Sequence, residues 1–354
     1  QHETAETLPL RNFEQYMDWI SRLEKLDDVI DQYIALANQG IENQVMPPKV
    51  LMSRVLNQIK LQNVDSYINS PFYDAFEVLP DEISNQEQEQ IKEQAKITIT
   101  NVVIPSYVKL LNFFENSYYP NCRDTIGISD IKNGSQYYEL IARQFTTTQL
   151  TPDEIHNIGL SEVSRIKNEM FKVMDQVQWN GSFDEFLNFL RTDNQFYFET
   201  GEELFTEYLA TSKRIDPLLV KLFKDLPSMP YGLKPIPMES APDTTTAYYQ
   251  RPAADGSRAG YYYVNLYMPE VRPKYEIEAL SLHEAMPGHH LQIAYTMELD
   301  LPNFRKYGGY TAFVEGWGLY AESLGEDLGM YKDPYSKFGQ LTYEMWRAVR
   351  LVVD

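Results

Sequence analysis

The amino-acid sequence predicts a mainly α-helical fold with a small antiparallel β element beside its candidate active site. Two observations carry that expectation. Apolar residues recur at spacings of three and four through most of the first 225 residues, the signature of helices buried along one face. Between Asp225 and Pro273 that period disappears and prolines cluster. Two short runs of β-branched and aromatic residues stand there instead.

Taken in order, Trp19, Leu23, Leu26, Ile30, Tyr33 and Ala37 form an apolar stripe on one long helix, with Gly40 as its stop. Pro47-Pro48 opens the next element, Val50 to Leu61. Ser84 with Glu87 caps a helix from Asn85 to Ala95, whose mostly polar run reads as a solvated face. Thr151-Pro152-Asp153-Glu154 combines an N-cap, a proline at the first helical position and a capping-box glutamate, so a helix runs from Pro152 towards Val177. Ser182 with Glu185, and Thr200 with Glu203, give two more such boxes. Strands are expected at Thr244 to Tyr249 and Tyr261 to Met268, joined through a turn-like segment, Asp255 to Gly260. Helix resumes near Tyr275 and runs, with one interruption, to Glu298. Further helical stretches cover Thr311 to Leu324 and begin again near Tyr335. The last twelve residues, YEMWRAVRLVVD, keep helical spacing without a stop signal, so the fold is expected to continue past Asp354. Residues 1–225 thus read as a helical scaffold and 226–354 as the strand element with the site helices. Together they are expected to form one continuous domain, truncated at its C-terminal side.

Composition bounds the function. With 43% hydrophobic and 13% aromatic residues the chain can bury a sizeable core. Its formal charge of −20 argues against nucleic acid or anionic membrane as a partner and favours cations, including a metal ion. Cys122 is the single cysteine, which excludes an intramolecular disulfide and a multi-cysteine zinc cluster; it reads as a packed thiol. No run of eighteen apolar residues occurs, so no transmembrane segment is expected. Nothing in the sequence sets an oligomeric state.

The chemistry concentrates in one place. Of five histidines (His2, His156, His283, His289 and His290), three fall within HEAMPGHH, His283 to His290. His283-Glu284 copies the start of the H-E-x-x-H zinc-protease motif, in which two histidines four apart share one helical face and one ion. Here the fourth residue on is Pro287, which cannot bind zinc and cannot continue a regular helix. On an unbroken helix neither His289 nor His290 could share an ion with His283. If Pro287-Gly288 loops out, His289 returns to the second ligand's place, with His290 as the alternative. Glu284 is then the general base for a metal-activated water. A catalytic zinc takes three protein ligands, and Glu315, one helix downstream on a nearly apolar segment, is the candidate third. Glu322, seven residues on, is expected to point inward too and to hydrogen bond behind a histidine. Asn265, in the tyrosine-rich strand, is a candidate for holding substrate backbone, and that strand, if at a sheet edge, can take up an extended peptide. Arg347 and Arg350 are candidates for a substrate carboxylate, though arginine near a helix C-terminus is ordinary. His156, in the first turns of a capped helix, reads as a surface residue.

HEAMPGHHLQ (His283 to Gln292) and EGWGLYAESLG (Glu315 to Gly325) resemble the bacterial domain-of-unknown-function 885 family. So do YYQRPAADGSRAGYYYVN (Tyr248 to Asn265), LTPDEIHNIGLSEVSRIKNEM (Leu150 to Met170) and MWRAVRLVVD (Met345 to Asp354). The resemblance implies a zincin-like, gluzincin-type metallopeptidase of helical architecture, with a downstream glutamate as third ligand, matching Glu315. It also implies a longer parent protein that is exported, periplasmic or lipid-anchored. The expected function is therefore zinc-dependent hydrolysis of peptide bonds. Two alternatives stay open: metal-dependent hydrolysis of non-peptide amides or esters, and an inactive binding fragment.

Overall fold

The computed structural model describes residues 4–238, 240–253 and 255–354, so His2 lies outside the described residues. The chain separates into two compact units, Gln1–Tyr138 and Glu139–Asp354. The change in composition near Asp225 falls inside the second.

In the first unit the principal helices are α1 (Phe13–Leu23), α2 (Leu26–Glu42), α3 (Lys49–Leu61) and the long α4 (Asn85–Asn121). The stripe from Trp19 to Ala37, expected on one helix, is divided between α1 and α2. Lys25 takes φ −93° and ψ 2° at the junction, yet Trp19, Leu23, Leu26 and Ile30 still share one core. Tyr33 is exposed, and α2 runs through Gly40 to Glu42, the left-handed residue beyond it being Gln44. Ser84 and Glu87 form their capping box, and α4 then outruns its expected end at Ala95. Ile91, Ala95, Ile99 and Val103, spaced by four, seat α4 in the same core. By length and composition alone α4 is apolar enough to cross a membrane, and a third of its most apolar window is buried. Cys122 is buried as a packed thiol.

The second unit begins with α5 (Pro152–Gln176), α6 (Phe183–Thr192) and α7 (Gly201–Ile215), each opened by the capping box its sequence announces. Three strands follow: β1 (Tyr231–Pro235), β2 (Ala247–Gln250) and β3 (Gly260–Val264). Their order is β1-β3-β2, with β1 parallel and β2 antiparallel to β3. The sheet is therefore mixed, not antiparallel as expected. β1 was not anticipated, because Tyr-Gly-Leu-Lys-Pro has no alternation and gains its strand conformation by pairing with β3. β3 has a partner on both sides, so it offers no free edge to a peptide.

The principal helices that follow are α8 (Ile277–Glu284), α9 (His289–Glu298), α10 (Thr311–Leu328) and α11 (Pro334–Val353). Tyr262 and Val264 of β3 and Ala247 of β2 pack with Ile277, Leu280 and Ala285, so the sheet supports α8 from below. Ile166, Met170, Phe338, Leu341 and Ala348 fix α11 along α5. His156 is exposed, its Nδ1 3.0 Å from the Val352 carbonyl.

Candidate metal centre

The interruption expected at Pro287-Gly288 is present. α8 ends at Glu284 and α9 starts at His289. The intervening turn carries a cis Met286–Pro287 bond, and Ala285 takes φ −101° and ψ −106°. Gly288 is required by close approach: a Cβ there would lie 1.8 Å from the His283 carbonyl oxygen. The Trp317 indole N–H donates to the Pro287 carbonyl at 2.8 Å, and the Gln292 amide donates to the Phe313 carbonyl at 3.2 Å. These two bonds tie the turn and α9 to α10.

The turn brings the His283 and His289 rings to 4.6 Å between centroids. Both Nε2 atoms face Glu315, at 3.6 Å from Oε2 for His283 and 3.7 Å from Oε1 for His289. One ligand atom from each of the three residues falls within 4.8 Å of the others. Donors around a tetrahedral zinc at ligand distances of about 2.0–2.1 Å stand about 3.3 Å apart. The residues present therefore fit such an ion in kind, with the two histidine–glutamate separations a few tenths of an ångström above that value and the whole set within 4.8 Å.

Glu315 differs from expectation in one respect. Its side chain is 54% exposed, because the first turns of α10 lie at the surface, so the centre has an open side. Glu322 does point inward, at 1% exposure, and accepts a hydrogen bond from His283 Nδ1 at 2.8 Å. Glu284 is buried at the end of α8. Among the described residues no side chain hydrogen bonds its carboxylate.

His290 is not part of the cluster. Its Nε2 donates to the Met229 carbonyl at 3.0 Å, which leaves Nδ1 to accept from the Tyr249 hydroxyl at 2.8 Å. Both nitrogens are thus occupied, and it is His289, not His290, that lies beside His283 and Glu315. Asn265 is buried, and its amide is engaged within the fold. Nδ2 donates to the Ala241 carbonyl at 2.7 Å, with those of Thr244 and Thr245 close by, and Oδ1 accepts from the Tyr267 N–H. It ties loops together, with both Nδ2 and Oδ1 engaged by backbone groups.

The electrostatics follow from burial among carboxylates. Burial opposes a charge on His283, but hydrogen bonds to Glu315 and Glu322 outweigh it and hold the ring up at about 9. Burial, aided by His283 as a neighbour, pushes His289 down to about 4. Glu315 is lowered, chiefly by its bond to His283. Burial raises Glu284 to about 7 and lowers His290 to about 4. The pocket thus favours one positive charge between its carboxylates.

Two features of the site differ from expectation or were missed. Arg347 of α11, expected as a candidate for a substrate carboxylate, instead reaches 3.1 Å from both Glu322 Oε1 and His283 Nδ1. Gly318 leaves room for the His283 ring, where a Cβ would meet three ring atoms at 2.5–2.8 Å. A glycine in mid-helix was the available signal for the second. Nothing in the spacing signalled the first.

The profile of a family described as "Bacterial protein of unknown function (DUF885)" matches residues 2–354. The chain belongs to the DUF885 family. This DUF885 chain is also similar to two solved structures. One is described as "the putative lipoprotein from Colwellia psychrerythraea", at 30% identity and a TM-score of 0.92 over 98% of the chain. The other is described as "a putative lipoprotein of unknown function from Shewanella oneidensis", at 17% identity and a TM-score of 0.57 over 96%, a likeness of fold alone. The DUF885 chain spans 61% of the length of each. Among curated proteins none matches it.

Proposed function

We propose that this DUF885 protein is a zinc-dependent hydrolase of peptide bonds, of the zincin-like, gluzincin type. One observation carries the reading: His283, His289 and Glu315 converge within 4.8 Å beside a buried Glu284 whose carboxylate takes no side-chain hydrogen bond among the described residues. Two imidazoles and a carboxylate are a zinc donor set, and three protein ligands leave a position for water. When bound, zinc supplies a Lewis acid and lowers the pKa of water at that position to about 7.

The rest is done by the chain's own residues. Glu284 takes the proton of the attacking water and returns it to the leaving amine, a task suited to a carboxyl raised to about 7 by burial. Glu322 accepts from His283 Nδ1 and keeps Nε2 free of a proton. The exposed flank of Glu315 gives substrate its approach. The names of the Colwellia and Shewanella proteins support a further reading, that the protein is exported or lipid-anchored. Recovery of the full-length protein in the cytosolic fraction alone would refute it.

The test of the hydrolase is metal analysis with turnover on peptide libraries, acyl amides and esters, using the chain and its Glu284→Gln variant. The expected result is one zinc in both proteins and peptide cleavage in the first alone. Zinc at wild-type level in His283→Ala, or ester cleavage without peptide cleavage, would overturn the proposal.

A further inference from the structure

Arg347 lies on α11, which contributes no ligand to the centre, yet its guanidinium sits against the back of His283. Nη1 donates to the Tyr343 carbonyl at 3.2 Å, one turn earlier on the same helix, which fixes the head group. Nη2 then stands 3.1 Å from Glu322 Oε1 and 3.1 Å from His283 Nδ1, while those two atoms are 2.8 Å from each other. Three polar atoms form a closed triangle, and one of them, Nδ1, cannot satisfy both neighbours. A guanidinium only donates, a carboxylate only accepts, and a neutral imidazole nitrogen does one or the other.

With the ring neutral, as binding a cation requires, the triangle has two arrangements. In one, His283 Nδ1–H and Arg347 Nη2–H both donate to Glu322, and Nε2 keeps its lone pair towards Glu315 and His289. In the other, Arg347 donates to Nδ1, the ring proton moves to Nε2, and the nitrogen facing the other two ligands can no longer bind a cation. Glu322 is 1% exposed and its acceptor lies closer to Nδ1, so the first arrangement wins in the intact protein.

We infer that Arg347 and Glu322 together select the tautomer of His283: Glu322 enforces the form able to bind a cation, and Arg347 turns against it once Glu322 is lost. Arg347 is thus a positioning residue whose effect changes sign with its neighbour. The inference rests on the metal reading above.

A double-mutant cycle on the full chain separates this from a structural ion pair. Zinc affinity is measured by chelator competition, and the visible spectrum of the cobalt-substituted protein reports the ligand set. Glu322→Leu is expected to weaken zinc by about 10–100-fold, the usual cost of losing the partner behind a metal-bound histidine. Arg347→Met alone is expected to change it less than about threefold, because Glu322 still accepts from Nδ1. Adding Arg347→Met to Glu322→Leu is expected to recover about tenfold and to restore the tetrahedral cobalt spectrum, since nothing then donates to Nδ1. Circular dichroism checks that each variant folds, and the volume-conserving Glu322→Gln serves in the cycle if the leucine variant does not. A double variant no tighter than its Glu322 parent, or Arg347→Met alone as damaging as Glu322→Leu, overturns the inference and leaves the metal centre standing. A wild-type chain that takes up no zinc overturns both.

Discussion

Gly318→Ala offers a stringent test of the metal centre because it touches no ligand atom covalently. A Cβ at 318 would lie 2.5 Å from His283 Cε1, 2.7 Å from Nε2 and 2.8 Å from Nδ1. Comfortable carbon contacts begin near 3.5 Å, so the ring must retreat by about 0.7–1 Å. It has little freedom to do so, being buried and held at Nδ1 by Glu322. A metal–ligand distance tolerates about 0.2 Å, so the displacement is several times what the centre accepts. We expect zinc affinity to fall by at least about 100-fold, as misplacements of this size do elsewhere. Stability should fall by only about 1–3 kcal/mol, the usual cost of overpacking, partly offset by the better helix propensity of alanine. Gly316→Ala is the control: nothing lies within 4 Å of a Cβ there, so zinc binding should be unchanged. Chelator competition and thermal melts of the two variants decide the matter. A folded Gly318→Ala protein with wild-type zinc affinity would refute the geometry on which the centre rests.

Two further outcomes follow from the same site and its surroundings. His289→Ala should abolish stoichiometric zinc, while His290→Ala should retain it and lose stability instead, because His290 spends both nitrogens on Met229 and Tyr249; metal analysis giving the reverse would reassign the ligand. Glu276 is raised to about 7 by burial, against the pull of the Tyr343 hydroxyl and Arg272. A folded pKa above the usual 4.5 means the folded state holds the proton more tightly, so stability is lost as pH rises from 4.5 through 7. Glu276→Gln should therefore add up to about 3 kcal/mol at pH 8 and little at pH 5, and melts showing an equal gain at both would exclude burial as the cause.

What could be read in the sequence was the chemistry that acts locally. Four capping boxes, at Ser84, Thr151, Ser182 and Thr200, form as their residues require, since a hydroxyl and a glutamate three residues on need no tertiary help. The interruption at Pro287-Gly288 was legible for the same reason. What escaped depends on partners distant in sequence. Tyr231–Pro235 becomes a strand only because β3 pairs with it, and that pairing also makes β3 central and denies it a free edge. The inward turn of Asn265 is set by carbonyls at 241 to 245, and Arg347 meets His283 across 64 residues. Glu315 and Glu322 share an apolar helix and a spacing of seven, but only packing tells that the first lies at an open surface and the second inside.

The broken helix itself raises a question of cost. Six residues separate His283 from His289, which on a continuous helix would set them about 9 Å apart along the axis and on different faces. Breaking a buried helix normally strands backbone donors and acceptors, each costing about 1–3 kcal/mol when unsatisfied. Here several of those groups find partners. Ala285 N–H still reaches the Ser281 carbonyl, His290 N–H reaches Ala285 and Gln292 N–H reaches Gly288. Proline at 287 has no N–H to strand, and its carbonyl is taken by the Trp317 indole from α10. The helix that carries Glu315 is thus also the one that satisfies the turn between the two histidines. The same packing holds the candidate ligands and the turn, so Trp317→Phe is expected to weaken zinc binding, read by chelator competition, without altering any of them.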